Sequence, residues 1–344
     1  MRIAIATVQV PFQTGGATLL CNELSAALIR AGHSVGVVTA PFRFGPDSQI
    51  ERAMDYWKSE DFRSINYISL DIVIPLSFPC WGLQHPQKRV WMLHQHRAAY
   101  ELYSGSQMSA ATQRRIHQFD TEQVADCAAV YTISQRVSNR LKEFNALSSR
   151  PLLHPPPNAS ALYRPQREAL PFIFFPSRIE SLKRQTLAIE AMRYVDPKIS
   201  LVIAGMGGQY AACLELVREL GLEARVRLLG EVSETDKRSL YALATAVLYP
   251  PYDEDYGYIT LEAMCAAKPV ITCLDSGGVL QFVVDGETGI VAEPSAHAVA
   301  NAINELARNP RRAVVLGEAG WLHYQTLNLS WDAVVATLAQ PITQ

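Results

Sequence analysis

The chain is 344 residues long, 49% hydrophobic and 19% charged, with a formal net charge of −2. That length fits about two domains, and the apolar fraction supports a large core and excludes a disordered chain. The near-neutral balance argues against an electrostatic nucleic-acid binder, and no apolar run reaches the ~18 residues a membrane helix needs.

Arg2–Val8 is apolar and β-branched and reads as a buried strand, not as a cleavable signal. Residues 11–16 form a loop ending in Gly15-Gly16, and Ala17–Ala31 follows with helical spacing (Leu20, Leu24, Ala27, Leu28, Ala31), with Gly32 at the C-cap position. Ser34–Thr39 is the next strand. This strand–glycine loop–helix–strand unit opens a parallel, Rossmann-like sheet. Short strands recur at Asp71–Ile74, Val90–Leu93 and Val130–Ile133; Gln135–Phe144 is a helix, and Ser134 before it reads either as its N-cap or as a polar residue of the cleft at the strand's end. The prolines of HPPP, residues 154–157, stop any regular element, so residues 155–170 read as an interdomain linker.

The pattern then restarts. Strands are expected at Phe172–Pro176, Leu201–Ala204, Val226–Leu229, Val247–Tyr249 and Val270–Thr272, with helices between them, at 295–307, at 310–324 and at Ser330–Leu338. Strands alternating with helices, twice over, predict an α/β protein of two Rossmann-like doubly wound domains facing across a cleft. The expected division is 1–160, 161–325 and a final helical segment, 326–344. Ligands in such sheets sit outside the carboxyl ends of the strands. Six cysteines (Cys21, Cys80, Cys127, Cys213, Cys265, Cys273) without a CxxC pair read as reduced thiols, which predicts a cytoplasmic location and no zinc or disulfide scaffold.

The segment YPPYDEDYGYITLEAMCAAKPVITC, residues 249–273, carries the strongest chemical signal. A strand runs into Tyr256-Gly257-Tyr258-Ile259 at a helix start, where exposed amides can hold an anion. Glu262 lies along that helix among Leu261, Ala263 and Met264, and an acid in apolar company requires a partner. A vicinal diol such as a ribose fits it. Glu254 lies before the turn, placed to orient a second polyol. Arg178 and Lys183, five residues apart after a buried strand, combine a planar guanidinium with a point-like ammonium, a pairing suited to a diphosphate. A solvated basic loop is the plain alternative, since Arg184 adjoins them. His94 and His96, in WMLHQHR, stand at the carboxyl edge of the first sheet, and His94 is favoured over His96. Gly15-Gly16 permits close backbone approach at a helix head. Gly205-Met206-Gly207-Gly208 lacks the third glycine and the acidic residue of a dinucleotide fingerprint, and no Walker loop, GxSxG, HExxH or EF-hand loop occurs.

With these residues in view, the chain resembles the family 4 retaining glycosyltransferases, which have the GT-B fold. The resemblance rests on Glu254-x7-Glu262 within EDYGYITLEAM and KPVI, on SRIESLKR (177–184), on DSGG (275–278) with VDGETG (284–289), on LVIAGMG (201–207) and on Gly15-Gly16. It departs from the family at Ala267, where glycine is usual, at Gln281, where glutamate is frequent, and in the proline-rich 154–158 segment.

What the resemblance implies is a transfer of a sugar from a nucleoside-diphosphate sugar to an acceptor hydroxyl, with retention of configuration, in bacterial glycan or glycolipid assembly. His94, Arg178, Lys183 and Glu254 would be catalytic. Gly15, Gly16, Gly207, Tyr256, Gly257, Tyr258, Ile259 and Glu262 would bind the donor. No metal and no cofactor besides the donor is expected, and Arg97 and Tyr100 are placed toward the acceptor. Residues 1–165 hold 16 Lys+Arg and 12 Asp+Glu, against 15 and 21 in the rest, so peripheral membrane contact or a glycan, glycolipid or small-molecule acceptor falls to the first domain. Two rivals stand beside this reading: a nucleotide-sugar epimerase of similar architecture, and a non-catalytic nucleotide-sugar-binding module.

Overall fold

A computed structural model describes residues 1–11, 15–164 and 169–340. The chain forms two compact units, Met1–Pro157 with Ser330–Gln344, and Asn158–Leu329.

In the first unit β1 (Arg2–Gln9) leads into α1 (Gly16–Arg30) and β2 (Ser34–Pro41), followed by α2 (Asp47–Ser59) and a hairpin of β3 (Ser64–Ile65) and β4 (Ile68–Ser69). Then come β5 (Ile72–Pro75), β6 (Arg89–Met92), α3 (Ala110–Ala125), β7 (Ala129–Thr132), α4 (Gln135–Asn145) and β8 (Arg150–Pro151). The strands run parallel in the orders β2-β1-β5 and β6-β7-β8, and an isolated parallel bridge from Val73 to Lys88 links β5 to the head of β6. β1 and β5 are near-continuous apolar runs, as strands of a parallel sheet buried on both faces are. The sequence reading leaves α2 and α3 unassigned, although Ile50, Met54 and Trp57 mark the buried stripe of α2 at helical spacing.

In the second unit the strands are β9 (Phe172–Pro176), β10 (Ser200–Ala204), β11 (Val226–Leu228), β12 (Ala246–Leu248), β13 (Val270–Cys273) and β14 (Gly289–Ala292). The helices are α5 (Gln185–Ala191), α6 (Tyr210–Glu219), α7 (Glu234–Leu243), α8 (Tyr258–Cys265), α9 (Ala296–Arg308) and α10 (Pro310–Thr326). All six strands are parallel, in the order β11-β10-β9-β12-β13-β14. The chain winds outward from β9 in one direction and, from β12, in the other. A crevice therefore opens beyond the carboxyl ends of β9 and β12, where this winding reverses. β9, all of it buried, sits at the centre of the core.

The last helix, α11 (Trp331–Ala339), returns to the first unit. Ser330 caps it, its hydroxyl accepting from the Ala333 amide at 3.1 Å. Trp331 packs edge-on against Trp91 and tilted against His154, at centroid distances of 6.2 and 5.7 Å. Arg89 donates to the Leu338 carbonyl at 2.6 Å, a cation at the helix's negative end.

Candidate active site

The loop after β9 carries Arg178, Lys183 and Arg184; the loop after β12 carries Tyr249 and Glu254. The sheet order brings these two loops side by side. Lys183 Nζ donates to Glu254 Oε2 and, at 3.2 Å, to the Tyr249 hydroxyl, which itself donates to Glu254 Oε2 at 2.9 Å. The Lys183 and Glu254 side chains are 18% and 19% exposed, so the pair faces the crevice without being lost to solvent. Burial, then Glu254, push the Tyr249 phenol well above its ordinary pKa, and it stays a neutral donor. Asp255 and Glu262 push the same phenol in the same direction, more weakly.

Arg178 is exposed, and its peptide carbonyl is fixed by Gln185, whose amide donates to it at 2.9 Å. Arg184 is spoken for: its two terminal nitrogens grip Asp275 at 2.8 and 2.6 Å, and its guanidinium lies 5.0 Å from the Tyr252 ring centroid. The plain reading of a solvated basic loop therefore fails for Arg184 and Lys183, each held by a carboxylate.

The glycines of this region are braces. A Cβ on Gly205 would lie 2.0 Å from the Ser177 carbonyl oxygen, and one on Gly207 would lie 2.3 Å from that of Ile179. The Ile179 amide donates to the Met206 carbonyl at 2.9 Å, and the Ile179 carbonyl accepts from Gln209 at 3.0 Å. The backbone carrying Arg178 thus lies directly on residues 204–209. Gly207, expected to touch the donor, has a packing reason of its own to be glycine. On the other side a Cβ on Gly277 would lie 2.7 Å from backbone atoms of Glu254, and one on Gly278 would lie 2.5 Å from the Asp255 carbonyl. The 275–278 turn therefore holds the Glu254 segment in place.

Tyr256, Gly257, Tyr258 and Ile259 form the entry to α8. Gly257 caps it in the left-handed region, at φ +87°, and its carbonyl accepts from Thr260 at 3.0 Å. The Thr260 amide is thus taken by the cap, and the amides before it lie too early in the helix for an i−4 acceptor inside it. One turn further, Glu262 is 5% exposed and already has partners: the buried Tyr241 hydroxyl donates to Oε2 at 2.6 Å, and Lys237 Nζ donates to Oε1 at 2.9 Å. Sequence reasoning missed Tyr241, Lys237 and Tyr249. The contacts of Tyr241 and Lys237 cross 21 and 25 residues and carry no local signal, whereas Tyr249 stands five residues before Glu254 in the same segment.

Ala267 sits at φ +51°, which explains why glycine is the favoured residue there. Lys268 beside it is buried, donates to the Ala244 carbonyl at 2.8 Å, and has its pKa pushed down to about 8 by burial.

The first unit holds the remaining expected residues. Gly15 is the N-cap of α1 with extended backbone, and Gly16 is its first residue; residues 12–14 of the preceding loop lie outside the described residues. His94 is exposed, and its Nδ1 donates to the Gln95 carbonyl at 2.7 Å. His96 is 6% exposed, packed against Phe42 and Phe78 at 5.9 and 5.3 Å, and burial pushes its pKa down to about 4. Ser134 is buried and caps α4 through the Val137 amide at 3.2 Å. The expectation that Tyr100 faces an acceptor is corrected: it is 4% exposed, donates to the buried Asp120 at 2.7 Å and stacks on His117. Arg97 pairs with Glu101. Among the described residues no group of three or more His, Cys, Asp or Glu side chains is placed to hold a metal ion.

Residues 164–321 match the family described as Glycosyl transferases group 1. The D-inositol 3-phosphate glycosyltransferase of Corynebacterium glutamicum (strain R) is 29% identical over 202 residues, 54% of this chain and 48% of that protein. The chain spans half or less of the length of such curated relatives. Among solved structures, sucrose-phosphate synthase from Thermosynechococcus elongatus superposes with a TM-score of 0.79 at 20% identity, covering 98% of this chain and 97% of that one. Anabaena Alr3699/HepE, solved in complex with UDP-glucose, gives 0.72 at 18% identity, covering 98% of each chain. No helix among the described residues is long and apolar enough to cross a membrane. Nearly the whole of the second unit is thus similar to the group 1 glycosyl transferases, in a chain with the GT-B fold.

Proposed function

We propose that the protein transfers a sugar from a nucleoside-diphosphate sugar to an acceptor hydroxyl with retention of configuration. The observation that carries this reading is the Lys183–Glu254–Tyr249 cluster, with the exposed Arg178 in the same loop as Lys183, at the point where the winding of the β9–β14 sheet reverses. The structure of Anabaena HepE with UDP-glucose supports a donor of this class on this fold.

In this reaction the bond from the anomeric carbon to the β-phosphate oxygen breaks, and the leaving nucleoside diphosphate keeps the electron pair. The acceptor oxygen bonds to the anomeric carbon, and its proton passes to the departing phosphate on the same face. Negative charge grows on that phosphate. Arg178, Lys183 and the α8 amides around Ile259 are the groups that stabilise it, without a metal ion in this reading. Glu254 holds Lys183 until the diphosphate competes for the ammonium; freed, its carboxylate is available to sugar hydroxyls. Glu262 takes the pentose. Within the first unit Gly15, Gly16 and His94 are the residues assigned to sugar handling, and a glycan or glycolipid acceptor with a cytoplasmic location at a membrane face belongs to the same proposal.

The deciding test is a thermal-shift screen of UDP, GDP, dTDP and their common sugars, followed by incubation of the stabilising donor with and without acceptors. A bound nucleotide raises the melting temperature in proportion to RT ln(1 + [L]/Kd). Product with the donor's anomeric configuration, read by proton NMR, is the expected result; stabilisation by none of them sinks the proposal.

A further inference from the structure

Lys237 is the fourth residue of α7, a helix whose register is fixed at its start. The Ser233 hydroxyl accepts from the Asp236 amide at 3.1 Å and donates to the Asp236 carboxylate at 2.7 Å. Tyr241 follows Lys237 by one turn, so both side chains leave the same face. They meet one carboxylate: Tyr241 at Oε2 and Lys237 at Oε1 of Glu262. Their burial differs sharply. Tyr241 is fully buried, whereas the Lys237 side chain is 24% exposed against 7% for Glu262. Tyr241 therefore anchors the carboxylate from the core, and Lys237 stands on its open edge.

An ionised carboxylate has about four lone-pair positions and an ammonium three N–H groups. The two protein donors occupy two of the former, and Glu262 occupies one of the latter. An acceptor and a donor thus lie side by side at one solvent edge. A group complementary to that edge must donate and accept at the same place, as each hydroxyl of a vicinal diol does. A lone carboxylate would take hydrogens from the diol; the adjacent ammonium gives hydrogens back to its oxygens.

We propose that Lys237 is a specificity-determining residue of the donor site: with Glu262 it reads both hydroxyls of a ribose, so that the donor is a ribonucleoside diphosphate sugar and not its 2′-deoxy counterpart. This rests on the donor reading above, which places the pentose at Glu262. Removing the 2′-hydroxyl strands one hydrogen-bonding position on each charged partner. Bonds to charged groups are worth about 1.5–3 kcal/mol, which is about a 10- to 150-fold change in affinity.

The experiment is calorimetric titration of the full chain with UDP against dUDP and GDP against dGDP, in the wild type, Lys237→Met and Lys237→Gln. Within each nucleotide pair the contribution of the base cancels. The wild type is expected to prefer the ribonucleotide of the bound pair about 10- to 100-fold. Lys237→Met should cut that ratio to about 3-fold or less, mainly by weakening the ribonucleotide, with Lys237→Gln between the two. Equal wild-type binding of UDP and dUDP, or equal loss of both in Lys237→Met, overturns the role of Lys237 and leaves the donor reading standing. Failure of every nucleotide to bind overturns both.

Discussion

Alanine at Gly207 should damage the site, while alanine at its neighbour Gly208 should not. A Cβ at Gly207 meets the Ile179 carbonyl oxygen at 2.3 Å and its nitrogen at 2.8 Å, whereas one at Gly208 meets only the flexible end of Glu180 at 3.5 Å. Ordinary contact begins near 3.4 Å, so the 177–179 backbone must retreat by about 1 Å in the first variant. Overpacking of this kind costs about 1–3 kcal/mol. In a unit of this size each kcal/mol lowers the melting temperature by about 2–4 °C, which gives a fall of about 2–12 °C. Because Arg178 rides on the displaced segment, a shift of about 1 Å should also cost on the order of 100-fold in turnover. Thermal melting, UDP titration and initial rates on the two variants make the comparison. If Gly207→Ala melts with the wild type and binds nucleotide unchanged, the brace does not position the loop and the reasoning fails.

Lys183→Met should lower turnover about 10²–10³-fold, the effect of removing one charge-stabilising donor, and a rate near wild type would detach Lys183 from the leaving group. Glu262→Ala should weaken nucleotide binding more than it slows the bound donor's reaction, read as a rise in Kd against a smaller change in kcat; an unchanged Kd removes the pentose from Glu262. Asp120 is fully buried, and burial raises its pKa to about 7 against an unfolded value of about 3.9. The folded chain therefore keeps a proton that the unfolded chain has released, so this group's contribution to stability is full below pH ~4 and lost as pH rises to about 7. Asp120→Asn should be less stable throughout, since Trp81 and Tyr100 both donate to the carboxylate, yet should lack that slope; denaturant melts from pH 4 to 8 that fall in parallel for both proteins would contradict the assignment.

The sequence displays the site's acids and bases but not their pairing. Glu254, Glu262, Arg178 and Lys183 stand out by spacing and by their place after apolar runs. Lys183 meets Glu254 across 71 residues only because β9 and β12 are neighbours, a fact that alternating strands and helices do not specify. Lys237 looks like a solvated charge on a polar helix until α7 and α8 bring it to Glu262. The histidines are a different case. The segment leaves β6 in a turn, so period-two alternation no longer tells which ring faces inward, and the Phe42 and Phe78 rings that bury His96 come from distant loops. The glycines mislead for a third reason: a position that demands the smallest residue looks alike in sequence whether a ligand or a neighbouring backbone occupies the space.

The return of α11 has a consequence for biogenesis. The amino-terminal unit leaves the ribosome first, yet Trp91 and His154, which pack on each other at 5.1 Å, meet Trp331 only at the end of synthesis, as Arg89, already bonded to Gln87, then gains the Leu338 carbonyl. Through the whole synthesis of residues 158–329 that half must wait with an aromatic face uncovered, a natural point of capture by chaperones during translation.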